Sequence, residues 1–312
     1  MPELLTESVI LSRHLDVTDR KQLLKRYSNG ELVRLHRGAY VESSIWELLD
    51  ADARHRAKAL AVALHFDESF VLSHLTAAAM WRLPRIGNWP DVPHIAGAIG
   101  SSGRTAAFMR HGRGTPVDVD TIDGLRVTSL CATVVDASAT VTFGHAVVLA
   151  DAALRRTKHP VRGLPRTTVT REDMIRELAR IPATHGGRRA HRAIEFSDGR
   201  ADRPGESLSR VSMKLGGVRA PQLQVSMLGA SGRSYDVDFW WEEFNVIGEF
   251  DGRYKYTDPQ YMNGRTPQQV LYDEKLREDD LRAASHGFTR WPWATAISPT
   301  LLRSHLARAG VH

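Results

Sequence analysis

Cysteine is almost absent from this chain of 312 residues, with Cys131 its single example. One thiol forms no internal disulfide and no multi-cysteine zinc site, which excludes disulfide scaffolds, zinc ribbons and Cys-x-x-Cys redox motifs and fits a reducing compartment. Long apolar runs are missing too, since no stretch approaches the roughly 20 residues a membrane helix needs. The opening MPELLTESVILSRHLD carries acids early and lacks a basic region followed by an apolar one, so it does not read as a secretory signal. The expected compartment is the cytoplasm, with no membrane partner. Common catalytic signatures are also lacking. The glycines of GAIGSSGR are not followed by Lys-Ser/Thr, His185 and His191 belong to no HExxH motif, and Ser207 and Ser209 have no histidine at triad-like positions. Phosphate-binding loops, zinc peptidases and serine hydrolases are thereby set aside.

What is present suits a folded chain of two or three domains: 42% hydrophobic and 25% charged residues, at a length beyond one usual core. Lys and Arg number 42 against 36 Asp and Glu, giving +6 and a pI near 9.6, a modest excess that suits a polyanion. The fold class reads as α/β, α+β overall. Residues 1–45 carry an apolar-periodic stretch (Leu4, Leu5, Val9, Ile10, Leu11), a helix opened by Thr18-Asp19, and LVRLHRGAYV, a hairpin turning at Arg37-Gly38. Helix, helix, hairpin is the order of a winged helix. Leu23, Leu24 and Tyr27 are expected inward, with Arg20, Lys21, Lys25 and Arg26 outward and Arg34, His36 and Arg37 on the wing, placed for DNA phosphate. Residues 46–156 read as an α+β middle domain. Residues 157–203, with TKHPVRGLPRTTVT and a broken basic stretch, read as a linker and helical arm.

Residues 204–312 give the order helix, three strands, helix, strand, helix. The spacing predicts helices over 204–215, 266–284 and 298–309, and strands over 222–228, 234–241, 245–250 and FTRWPW. Acids within strands are disfavoured and need a reason. Asp238 lies in YDVDFWW, and Glu249 and Asp251 lie in VIGEFDG. Pairing of these strands would bring Asp238 and Glu249 to one edge, and Glu249 and Asp251, two apart, share a face. Gathered carboxylates repel unless a cation sits among them, and hard oxygen ligands suit Mg²⁺ or Mn²⁺. Such an ion lowers the pKa of bound water and neutralises phosphate, while a lysine steadies the transition state. Trp240, Trp241, Trp291 and Trp293 read as core rather than base-stacking residues.

The segments GESLSR, DVDFWW, IGEFDGRYKY and YDEKLREDDLRAASHGFTRWPW, within about residues 204–295, resemble the PD-(D/E)xK nuclease superfamily, closest to small endonuclease-like domains related to very-short-patch-repair enzymes. The resemblance implies a restriction-endonuclease-like mixed sheet flanked by helices. It assigns Glu206 as the acid of the first core helix, Asp238 as the first strand acid and Glu249 as the second. Asp251 stands where the motif has lysine, leaving Lys255 or Lys275 to supply that charge. Separately, DRKQLLKRYSNGELVRLHRGAYV and GLRVTSLCATVVDASATVTFGHAVVLADAALRR, within about residues 4–156, resemble winged-helix antitoxins of the AbiEi type. That resemblance implies promoter binding and a nucleotidyltransferase-type toxin as partner. Two functions are therefore expected in competition: a metal-dependent DNA endonuclease in defence or repair, and a non-catalytic DNA-binding regulator.

Overall fold

Asp16 opens the first helix, its carboxylate accepting from the Asp19 backbone N–H at 2.8 Å, one of the donors a helix start leaves unpaired. The computed structural model describes residues 8–66, 70–98, 100–113, 115–181, 186–252, 266–284 and 286–312. Its contacts divide the chain into two units, Met1–Ser197 and Asp198–His312. In the first unit β1 (Ile10–Leu11) precedes α1 (Val17–Ser28), and β2 (Leu32–His36) and β3 (Ala39–Glu42) form the hairpin. The strand order is β1-β3-β2. Gly38 turns the hairpin at φ +84°, which a side chain would strain. Ile10 and Leu11, expected to be helical, are extended instead because they pair with Tyr40 and Ala39.

The chain continues through α2 (Ser43–Leu48) and α3 (Ala51–Phe66), the latter started by Asp50, whose carboxylate accepts from Ala53 N–H at 2.7 Å. After α4 (His74–Met80), β4 (His94–Gly97), β5 (Gly103–Arg104) and β6 (Met109–Gly112) form a small sheet in the order β4-β6-β5. A hairpin of β7 (Val119–Ile122) and β8 (Leu125–Thr128) leads to α5 (Leu130–Ser138), α6 (Phe143–Arg156), α7 (Arg171–Arg180) and α8 (Gly187–Phe196). The supposed arm is part of this unit. Val169, Met174 and Ile194 belong to the same core as Trp81, Leu130 and Leu149, so the boundary falls after Ser197 rather than after residue 203. Ala190, Ala193 and Ile194 form a buried stripe at helical spacing that the surrounding arginines disguise in sequence.

The histidines inside this unit include His55, His74, His94 and His111. His55 is 3% exposed, stacks on Trp89, and shares a 3.0 Å hydrogen bond between Nε2 and Thr76 Oγ1. His111 Nε2 and His94 Nδ1 are 3.1 Å apart, and His74 stacks on His111 at 3.7 Å between ring centres. Burial pushes all four down, His55 to about 4 and His94 to about 3.

The second unit contains α9 (Pro204–Gly216), β9 (Gln222–Leu228), β10 (Ser234–Trp241), β11 (Val246–Asp251), α10 (Pro267–Ala283), β12 (Gly287–Pro292), α11 (Trp293–Ala296) and α12 (Pro299–Arg308). The sheet order is β12-β11-β10-β9, with β11 and β12 parallel and the other pairs antiparallel. One face carries Phe239, Trp241, Phe250 and Trp291 against Met213 of α9 and Leu302 and Leu306 of α12. The other carries Val237, Trp240, Ile247 and Phe288 against Leu281 of α10. Trp240, Trp241 and Trp291 are core residues, whereas Trp293 is 43% exposed. The Trp291 indole N–H donates to Ser209 Oγ at 2.8 Å, and that hydroxyl donates to Gly205 O at 2.7 Å. The whole is an α+β fold. No helix among the described residues is long and apolar enough to cross a membrane.

Candidate active site

Pro204 begins α9 with its fixed φ, and Gly205 follows where a Cβ would lie 2.1 Å from the Phe250 ring. Only glycine lets the first turn sit this close to the sheet. That contact sets Glu206 beside the strands, 3% exposed. Glu206 Oε2 accepts from the Asp202 backbone N–H at 2.8 Å and from Gln224 Nε2 at 3.1 Å. The same Gln224 nitrogen donates to Asp238 Oδ1 at 3.3 Å, and Asp238 Oδ2 accepts from Phe250 N–H at 3.0 Å. One amide thus bridges two carboxylates. Burial, then the charge of Asp238, holds the Glu206 carboxyl well above its ordinary range.

Asp238 reaches Glu206 because β10 breaks its own alternation. Val237 and Trp240 are three apart yet share the α10 face, so the pattern slips by one residue at Asp238. The β9–β10 ladder pairs Val237 with Val225 and Phe239 with Leu223 but skips Asp238 and Gln224, and Gln224 has φ +49°. Such irregularities re-aim a side chain. Strict alternation would have put Asp238 on the face of Trp240, where Glu249 lies.

Glu249 is 3% exposed and turns to the α10 face. Its Oε1 lies 2.5 Å from Arg277 Nη1, and its Oε2 accepts from Arg290 Nη2 at 3.3 Å. Arg290 is its register partner across the parallel β11–β12 ladder and also approaches Glu274 and Glu278, each at 3.6 Å. Asp238 and Glu249 therefore occupy adjacent strands, as expected, but their carboxylates go to different neighbours. The expected three-acid cluster is present only as the pair Glu206 and Asp238. Among the described residues, no group of three or more His, Cys, Asp or Glu is placed to hold a metal ion. Asp251 keeps a buried Oδ1 with no hydrogen-bond partner among those residues. Lys275 is exposed on α10, and Lys255 lies outside the described residues. Gln224, Arg277 and Arg290 went unsingled in the sequence. Arg290 alone carried a signal, as a charge inside the strand FTRWPW.

On the N-terminal hairpin, Lys21 and Lys25 of α1 are exposed, as are Arg34 and Arg37. Arg34 lies over the Tyr27 ring at 5.5 Å. Two expected phosphate contacts are engaged within the fold instead. Arg26 Nη2 donates to both Glu42 oxygens, at 2.6 and 2.7 Å, with Nε donating to Glu31 at 3.1 Å. Arg20 Nε donates to Ser12 O at 3.2 Å. Leu23 is inward at 4% exposure, but Leu24 is 51% exposed and faces outward with Lys21 and Lys25.

No family model and no solved structure matches the chain. It is similar to two proteins from two strains of Mycobacterium tuberculosis, "Uncharacterized protein MT2308" and "Uncharacterized protein Rv2248", each 25% identical over 243 residues that cover 78% of this chain and 82% of the relative.

Proposed function

We propose that residues 198–312 act as a metal-dependent DNA endonuclease and that the N-terminal hairpin holds DNA by its phosphates. The observation that carries this reading is the pairing of buried Glu206 with half-buried Asp238 under one glutamine amide. Two carboxylates brought together out of water repel, and a cation or a proton between them relieves that repulsion. The donor set is oxygen only, which fits Mg²⁺ or Mn²⁺. Asp238 and Glu206 would hold that ion, which supplies charge neutralisation at the scissile phosphate and a water of lowered pKa. Gln224 orients both carboxylates, and Asp251 offers a further oxygen at the end of the same strand as Glu249. Of the two candidate lysines, Lys275 lies within the described residues, exposed on α10. Lys21, Lys25, Arg34 and Arg37 supply salt-dependent affinity.

A second reading has its own support. Arg277 and Arg290 neutralise Glu249, the residue assigned as second metal acid, and that pairing suits a nuclease-like domain that binds without cutting. The chain would then be an antitoxin-like DNA-binding regulator, with a nucleotidyltransferase-type toxin as partner. Incubation of the full chain with plasmid DNA and Mg²⁺ or Mn²⁺, beside Asp238→Ala, decides between them. Cleavage by the parent and none by the variant supports the nuclease. DNA binding without cleavage in either metal, on linear, supercoiled and single-stranded substrates, supports the regulator.

A further inference from the structure

The first unit contains a cavity of about 600 Å³, walled by β4, β6 and the segment after β6. Its size is within the usual range for small-molecule sites. Phe70, Ile95 and Val117 give it apolar walls, while Arg110, Arg113 and Thr115 give it polar ones, and no acidic side chain lines it among the described residues. Two of its wall residues carry buried polar atoms that bond nothing among the described residues, Arg113 Nε and Thr115 Oγ1. An unmet buried donor costs about 1–3 kcal/mol, so a wall bearing two such atoms points to an occupant rich in acceptors.

Arg113 is fixed from behind. Its side chain is 7% exposed, and its two terminal nitrogens pair with Asp136, at 2.5 Å, and with Glu177, leaving Nε as the uncommitted donor. Arg110 is steadied by Phe108, with its guanidinium carbon 5.3 Å from the ring centre. Gly97 makes room for it. A Cβ at Gly97 would come within 2.6 Å of Arg110 Cγ and 2.5 Å of Ser101 Oγ, so any side chain there would push the Arg110 stem aside.

We infer that this cavity binds a phosphate ester of about mononucleotide size. Arg110, Arg113 Nε and the Thr115 hydroxyl donate to the phosphate, and Phe70, Ile95 and Val117 cover the organic part. Guanidinium donors and a hydroxyl in one wall suit a tetrahedral oxyanion, and among the described residues the carboxylates of Asp136 and Glu177 pair with Arg113 without lining the cavity. The endonuclease reading concerns the other unit and neither requires this site nor supplies it.

The test is calorimetric titration of the full chain with AMP, inorganic phosphate and adenosine, with thermal melting in parallel. AMP should bind saturably at one site, phosphate more weakly at the same site, and adenosine not at all. Arg110→Ala, at a half-buried position that pairs with no acid among the described residues, should weaken AMP at least tenfold, and Thr115→Val about threefold to tenfold. Gly97→Val should weaken it by displacing Arg110, while Lys21→Ala should leave it unchanged. The inference is overturned by AMP failing to bind at millimolar concentration, by adenosine binding as tightly as AMP, by equal affinity in Arg110→Ala, or by loss of binding in Lys21→Ala, which would move the site to the hairpin.

Discussion

At the scale of single residues, Glu206 is the most consequential side chain, because its burial beside Asp238 favours the protonated form. A carboxyl held above its unfolded value contributes stability in full below the unfolded pKa and loses it as pH rises toward the folded one. Without divalent metal, the second unit should therefore melt lower as pH rises from about 4.5 to 8. Glu206→Gln should flatten that dependence and raise the neutral melting temperature by a few degrees, about what 1 kcal/mol produces in a domain of this size. Mn²⁺ should raise the parent's melting temperature at pH 8 and leave that of Glu206→Gln unmoved. An unchanged pH profile in the variant would remove Glu206 as the strained group. Asp238 and Glu249 were legible in the sequence as strand acids that needed a reason, and Glu206 only through the nuclease resemblance. Their directions were not. The strand pairing expected to bring Asp238 and Glu249 to one edge does not join their carboxylates, because alternation slips at Asp238, where Gln224 takes a left-handed conformation that its residue type does not announce. Nor does a strand pattern say that the arginine beside Glu249 will neutralise it.

At the scale of elements, α1 and its hairpin leave some basic residues exposed and engage others within the fold. Lys21 and Lys25 are exposed on one helix, so neutralising both should reduce the slope of log affinity for DNA against log salt by roughly 0.9 per lost phosphate contact. Arg26→Ala should behave differently. It removes the pairing to Glu42 and Glu31, so it should lower the melting temperature of the hairpin while leaving the salt slope near the parent's. Filter binding across a salt series with a parallel melt separates the two effects, and a slope lowered by Arg26→Ala would return that residue to the DNA surface. The histidine cluster makes the first unit sensitive to acid. Histidines held below their unfolded value contribute stability fully above about pH 6.5 and lose it as pH falls toward the folded values, about 4 for His55 and about 3 for His94. For the deeply buried His55 the loss amounts to roughly 3 kcal/mol. Urea unfolding at pH 7, 5.5 and 4.5 should show this decline, and His55→Gln should remove part of it. Most elements were readable from periodicity, although the cap of α1 is Asp16 rather than the expected Thr18-Asp19 pair. Helix α8 was not, because arginines outnumber its buried alanines and only tertiary packing reveals which face is inward.

At the scale of the whole molecule, the division after Ser197 gives each part its own apolar core. Residues 198–312 expressed alone should unfold cooperatively, and their melt should respond to Mn²⁺ in the same way as that of the full chain. A non-cooperative melt would show that this unit depends on the first. The sequence located the second unit to within six residues and missed where the first one ends, since a proline-rich stretch followed by basic residues looks the same whether it crosses solvent or covers a core. The tryptophans of the second unit give it an optical property as well. Trp291 is fully buried and its indole is tied through Ser209 to Gly205, the residue before Glu206. Its emission should be blue-shifted in the native state and should move to longer wavelength if the first turn of α9 lifts from the sheet. In a variant that keeps Trp291 as its sole tryptophan, intrinsic fluorescence should therefore report, in real time and without a label, whether Glu206 is seated when DNA or a divalent ion is added.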